Sequence, residues 1–168
     1  MGRILSKRQT GLLVSIATVI SGIALGDAAY AQKVQSPLLS IFENVTLKPG
    51  FSPDPTVLRG ISGGAMDAPK KISQQETPTG PCLGYIDDKP DHTLVLSAYF
   101  DYLSVQVQSS EDTTLIIQGP GGNWCNDDAN GKNPGISGQW LAGTYNIWVG
   151  SYKRNQYNPY TIRISESQ

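Results

Sequence analysis

Gly143-Thr144-Tyr145-Asn146-Ile147-Trp148-Val149-Gly150 alternates large apolar side chains between two glycines. A period of two places Tyr145, Ile147 and Val149 on one face and Trp148 on the other, the signature of a strand. The same alternation recurs around it. In the run 93–98, Leu94, Leu96 and Ala98 share a face; then Leu103, Val105 and Val107 alternate with Ser104, Gln106 and Gln108. Thr113-Thr114-Leu115-Ile116-Ile117 stops at Gly119-Pro120-Gly121-Gly122, and Tyr160-Thr161-Ile162-Arg163-Ile164 repeats the period near the end of the chain. No segment beyond the first 31 residues keeps an apolar 3.6-residue period for three turns. Short strands at close spacing, punctuated by Gly, Pro, Asn and Asp, predict an all-β fold: an antiparallel β-sandwich or jelly roll.

Upstream the signals are weaker. Residues 42–47 and 56–59 read as short strands joined by a proline-rich connector, Phe100-Asp101 reads as a tight hairpin connection, and the polar stretch 67–81 reads as a long surface loop. The expected organisation is a cleaved segment 1–31, an N-terminal extension 32–81 with short strands, and a β-sandwich core 82–168.

The first 31 residues carry Arg3, Lys7 and Arg8, then an apolar run of about 16 residues, then Ala29 and Ala31. Basic start, apolar middle and small residues at the end form the order of a secretory signal peptide, with cleavage after Ala31. The run is shorter than the roughly 20 apolar residues a membrane span needs, so no transmembrane span is expected in the mature form. The segment takes three of the 13 basic residues and one of the 14 acids, which leaves the remainder at a formal charge of −3. No basic patch is visible, which argues against nucleic acid and anionic membrane surfaces. In an oxidising compartment, secreted or periplasmic, Cys82 and Cys125 are expected to form one intramolecular disulfide.

Gly60-Ile61-Ser62-Gly63-Gly64 fits the spacing of a nucleophile elbow. A serine hydrolase using Ser62 and His92 is therefore the competing reading. An elbow needs a strand, the strained serine turn and a helix; the residues after Ser62 make a poor helix, and the single histidine lies 30 positions on. The glycines are better read as positions of positive φ or close backbone approach.

Asn126, Asp128 and Asn130 followed by Gly131 reproduce the opening spacing of a calcium loop, with Asp127 beside them. The twelfth position is Ser137 where a glutamate is expected, so a site here would be weak. Asn, Asp and Gly also favour turns without any metal. Among the aromatic residues of the C-terminal third, Tyr145 and Tyr160 fall in phase with aliphatic neighbours and are expected in the core. Trp148, Tyr152 and Tyr157 are the candidates for an exposed ligand-binding face.

The runs Asp91-His92-Thr93-Leu94-Val95-Leu96, Leu103-Ser104-Val105-Gln106-Val107, Asp112-Thr113-Thr114-Leu115-Ile116-Ile117 and Ala142-Gly143-Thr144-Tyr145-Asn146-Ile147-Trp148-Val149 together resemble the bacterial pre-peptidase C-terminal domain. The resemblance implies a small jelly-roll-like sandwich of the kind appended to secreted proteases and collagenases. It carries calcium ligation to no residue of this chain. The expected function is that of an exported, non-catalytic accessory or binding module whose ligand is an extracellular polysaccharide or another exported protein.

Overall fold

The computed structural model describes residues 41–167, and the expected signal peptide lies outside them. In chain order the elements are β1 (Val45–Leu47), β2 (Thr56–Ser62), β3 (Met66–Asp67), α1 (Ala68–Ile72), β4 (Glu76–Thr77), β5 (Gly80–Pro81) and β6 (Tyr85–Ile86). They continue as β7 (His92–Leu96), β8 (Phe100–Gln108), β9 (Thr113–Gly119), β10 (Gly122–Asn126), β11 (Gly135–Trp140), β12 (Gly143–Ser151) and β13 (Asn158–Ser165).

Two sheets result. One contains β1, β7, β12, β6 and β3, with β9 also paired to β12 and β10 at its edge; the other runs β11-β8-β13-β2. All pairings are antiparallel except β1 with β7, which is parallel. The all-β sandwich expected from the alternation is the fold observed.

β12 is the hub. Its first half pairs with β7 and its second half with β9, so its even and odd positions are fixed against both neighbours. Tyr145, Ile147 and Val149 face the space between the sheets, where they meet Leu94, Leu96, Leu103, Val105, Ile162 and Ile164. Each such side chain contributes roughly 1.5–3 kcal/mol on burial, and the strict period of two fixes the register, since a one-residue slip would expose all of them.

Three expectations need correction. Phe100-Asp101 is not a hairpin turn, because β7 and β8 belong to different sheets and Phe100 is a buried core residue that opens β8. β2, from the stretch expected to be an extension, is bonded along its length to β13 and forms one edge of the second sheet. Strands from before residue 81 and after it therefore build the same pair of sheets.

The stretch 67–81 is not a loop over solvent. It forms α1 and the β4-β5 ladder, and with Ile86 it covers the outer face of the first sheet. Asp67 in extended conformation and Pro69 in the first turn start the helix; Ser73 in the left-handed region ends it. Beneath lies a second apolar cluster of Ala68, Cys82, Ile86, Ile116, Cys125 and Trp148. The disulfide between Cys82 and Cys125 forms as expected and ties this cover to β10.

Candidate functional site

Ser62, the residue that a hydrolase would need as nucleophile, is fully buried. Its Oγ lies 2.8 Å from Ser151 Oγ, which in turn accepts from Asn158 Nδ2 at 3.3 Å. His92 is equally enclosed, and both its ring nitrogens are engaged. Nδ1 sits 2.7 Å from the Glu43 carbonyl oxygen and Nε2 2.9 Å from the Tyr160 hydroxyl. A carbonyl only accepts, so Nδ1 carries the proton and Nε2 accepts from Tyr160. Burial holds the imidazole pKa below its ordinary value, against the opposing pull of the Glu43 carbonyl, and keeps the ring neutral. No hydrogen bond joins Ser62 to His92, and neither faces solvent.

The glycines of this stretch have packing roles. A Cβ at Gly60 would collide with the Tyr160 ring. Gly63 and Gly64 have φ of 113° and 151°, and their missing side chains let the backbone pass against Gln156 and Ile86. Gly63 N donates to Val149 O, and Gly64 O accepts from Asn155 N, so the strand exit is stitched to β12 and to the turn after it. Asp91 completes this corner. Its Oδ2 accepts the Val149 N–H at 2.7 Å and extends the β7-β12 pairing by one side chain; burial raises its pKa to about 7.

In the loop after β10, Asn126 acts as a bracket. Its Oδ1 accepts from Gly135 N at 3.0 Å and its Nδ2 donates to Thr79 O at 2.9 Å. Asn130 is exposed and forms a backbone bridge with Asn133. Asp128 is exposed, whereas Asp127 is half-buried, its pKa raised to about 6 first by burial and then by Asp128 and Asp112. Among the described residues, no three His, Cys, Asp or Glu side chains converge as a metal set. Asn130 and Gly131 take up turn positions, while Asp112 Oδ1 and Asp127 Oδ1 are buried without a hydrogen-bond partner.

Of the aromatic residues, Tyr145 and Tyr160 are buried and Tyr152 and Tyr157 exposed, as expected, but Trp148 departs from expectation. Trp148 is buried, because the face of β12 that alternation directs outward is roofed by α1 and the disulfide. It is not a surface ligand. Tyr152 and Tyr157 are 53% and 55% exposed and line none of the principal clefts.

The aromatic cleft lies elsewhere, where edge strand β10 of one sheet approaches edge strand β11 of the other. It encloses about 330 Å³ and is lined chiefly by Tyr99, Gly121, Trp124, Ser137, Gln139 and Leu141. Trp124 stacks on Trp140 at 6.3 Å between ring centroids, and Tyr145 meets Trp140 edge-on at 5.0 Å. Trp140 Nε1 donates to Leu103 O and the Tyr145 hydroxyl to Leu141 O, so these two rings are locked from behind. Trp124 is the partly exposed member, resting on a rigid apolar floor. Sequence reasoning missed it because Trp124 and Trp140 are 16 positions apart on different sheets. The available signal was that Trp124 lies two positions after the Gly119-Pro120-Gly121-Gly122 turn, whose Gly121 sets no side chain against its ring.

No family model matches the chain. It is 36% identical over 86 residues to an uncharacterised protein of Synechococcus elongatus; that stretch is 49% of this chain and 63% of the relative, short of two thirds of its length. Among solved structures, it is similar to the pre-peptidase C-terminal domain of collagenase from Bacillus anthracis. The likeness has a TM-score of 0.44 and 13% identity, and it covers 73% of this chain and 94% of that one.

Proposed function

We propose that the chain is an exported, non-catalytic β-sandwich module that binds an extracellular ligand in the cleft between β10 and β11. The observation that carries the reading is Trp124, a half-exposed indole backed by Trp140 and Tyr145 and opening on a cleft of ligand size. The residues that invited a hydrolase reading have packing partners instead: Ser62 holds Ser151, and His92 holds Glu43 and Tyr160. The disulfide fits an oxidising compartment, and among the described residues no helix is long and apolar enough to cross a membrane.

The test is ligand-observed or fluorescence titration of the folded protein against extracellular polymers and exported proteins. Binding that is lost with Trp124→Ala or Tyr99→Ala, at unchanged melting temperature, supports the cleft. Binding indifferent to both substitutions would place the ligand elsewhere.

A further inference from the structure

Three properties of the cleft bear on the chemical class of its ligand, an inference that rests on reading it as a binding site. The first is charge. No Asp, Glu, Lys, Arg or His lines it; its polar groups are the hydroxyls of Thr79 and Ser137, the Gln139 amide, the Tyr99 phenol, the Trp124 indole N–H and backbone, with the Trp140 N–H and the Tyr145 hydroxyl already engaged by Leu103 O and Leu141 O. A ligand bearing a carboxylate, phosphate or ammonium would leave water here without a counter-charge.

The second is the open platform. Gly121, with φ of 98° at the tip of the β9-β10 hairpin, places no side chain over Trp124. A Cβ there would stand 3.5 Å from Cη2 and 3.6 Å from Cζ2 of the indole. With Trp140 stacked on it and Tyr145 tilted against it, Trp124 is pre-set for a flat, weakly polar partner.

The third is the edge of β11. Val107 N donates to Pro134 O, so in the antiparallel register the backbone groups of Ile136 and Gly138 face β8. Those of Gly135 and Ser137 therefore face outward. The Gly135 N–H is capped by Asn126 Oδ1, and after Gly138 the register is broken by a bulge. Ser137 is left as an isolated outward N–H and C=O pair beside the cleft. A peptide adding as a strand needs such pairs at alternate positions along the edge, and here the run stops after one. A sugar ring needs only one donor and one acceptor at its hydroxyls.

We propose that the cleft binds a neutral saccharide, with one pyranose face lying on Trp124 and its hydroxyls bonded to the Ser137 backbone and the Gln139 amide. Tyr99, 44% exposed at the cleft wall, contacts the same or the adjoining ring.

The experiment titrates the disulfide-bonded protein with uncharged oligosaccharides of four to six units: β-1,4-glucan, chitin, xylan and α-1,4-glucan. An oligogalacturonate and an uncharged octapeptide serve as comparison probes. Tryptophan emission and calorimetry are read together. At least one neutral oligosaccharide is expected to saturate and to shift the emission. Tyr99→Ala and Gln139→Ala, both at exposed positions, should each weaken that binding several-fold, and Trp124→Ala by about tenfold or more.

Saturation by the oligogalacturonate or the peptide alone, sensitive to Tyr99→Ala, would overturn the saccharide assignment and leave the cleft as the binding site. Failure of every neutral oligosaccharide up to about 10 mM would also overturn it. Neutral-saccharide binding untouched by Tyr99→Ala, Gln139→Ala and Trp124→Ala would overturn both the assignment and the cleft.

Discussion

The Tyr160 hydroxyl reaches His92 Nε2 at 2.9 Å by crossing β2 at Gly60, where a Cβ would collide with the phenol ring. A hydrogen bond between strands of opposite sheets thus depends on the absence of a side chain on a third strand. Gly60→Ala is expected to lower stability by about 1–3 kcal/mol through overpacking, because Tyr160 is buried and cannot swing aside. Urea denaturation measures it. An unchanged midpoint would mean that β2 shifts freely against β13.

Asp91 gives stability a pH dependence of definite sign. Its pKa is raised by burial to about 7 in the folded state, against an ordinary value of 3.8. The folded protein therefore holds a proton that the unfolded chain has lost, and ionisation costs stability progressively from about pH 4 to about pH 7. Asp91→Asn removes that cost and can still accept the Val149 N–H. The variant should gain on the wild type as pH rises through that window, by a few kcal/mol at most, and the difference should vanish near pH 4. His92 contributes the opposite slope. Its pKa is lowered by burial, so its neutral form is favoured in the fold and stability falls as pH drops below its usual 6.5. That slope should persist in Asp91→Asn. Chemical denaturation between pH 4 and 8 for the two proteins is the measurement.

The Cys82–Cys125 bridge closes a separation of 43 residues, and in the chain-entropy model it stabilises the fold by about 4 kcal/mol. Reduction should lower the melting temperature and loosen the cover formed by α1 and the β4-β5 ladder. Trp148 lies directly under that cover, so its emission should move to the red before global unfolding. Comparison with Trp148→Phe isolates the signal from Trp124 and Trp140. No red shift at temperatures below the reduced protein's transition would show that the cover stays closed without the bridge.

Ser62 and Ser151 form a buried hydroxyl pair at 2.8 Å, with Asn158 as the third member. Ser62→Ala should cost about 1–2 kcal/mol, and a double-mutant cycle with Ser151→Ala should give a coupling near 1 kcal/mol. Ligand titration curves should be unaffected, since neither residue lines the aromatic cleft. A coupling energy near zero would indicate that water replaces the missing hydroxyl.

Calcium at millimolar concentration is expected to shift the melting temperature by no more than about one degree. Asn126 has both side-chain atoms engaged with Gly135 and Thr79, and no set of three acidic or imidazole side chains converges in the described residues. A metal held by fewer ligands would stabilise only by mass action above its dissociation constant. A rise of several degrees over a chelator control would assign a cation to Asp127 and its acidic neighbours.

The alternation around Tyr145, Ile147 and Val149 determined the fold class, since a period of two admits only strands and selects the face that packs inward. The same local chemistry identified the disulfide from two cysteines, the turn from Gly-Pro-Gly-Gly, and the glycines 60, 63 and 64 as points of close approach. Position on the strand could not say whether an outward face meets water. Trp148 alternates outward and is nevertheless buried, because a helix and a disulfide more than 20 residues away in sequence fold over it. Trp124 carries no periodic signal and is nevertheless the open face of a cleft, because two edge strands from different sheets converge there. Periodicity is a property of one strand; exposure depends on which other segments cover it, and that is settled only when the whole chain has packed.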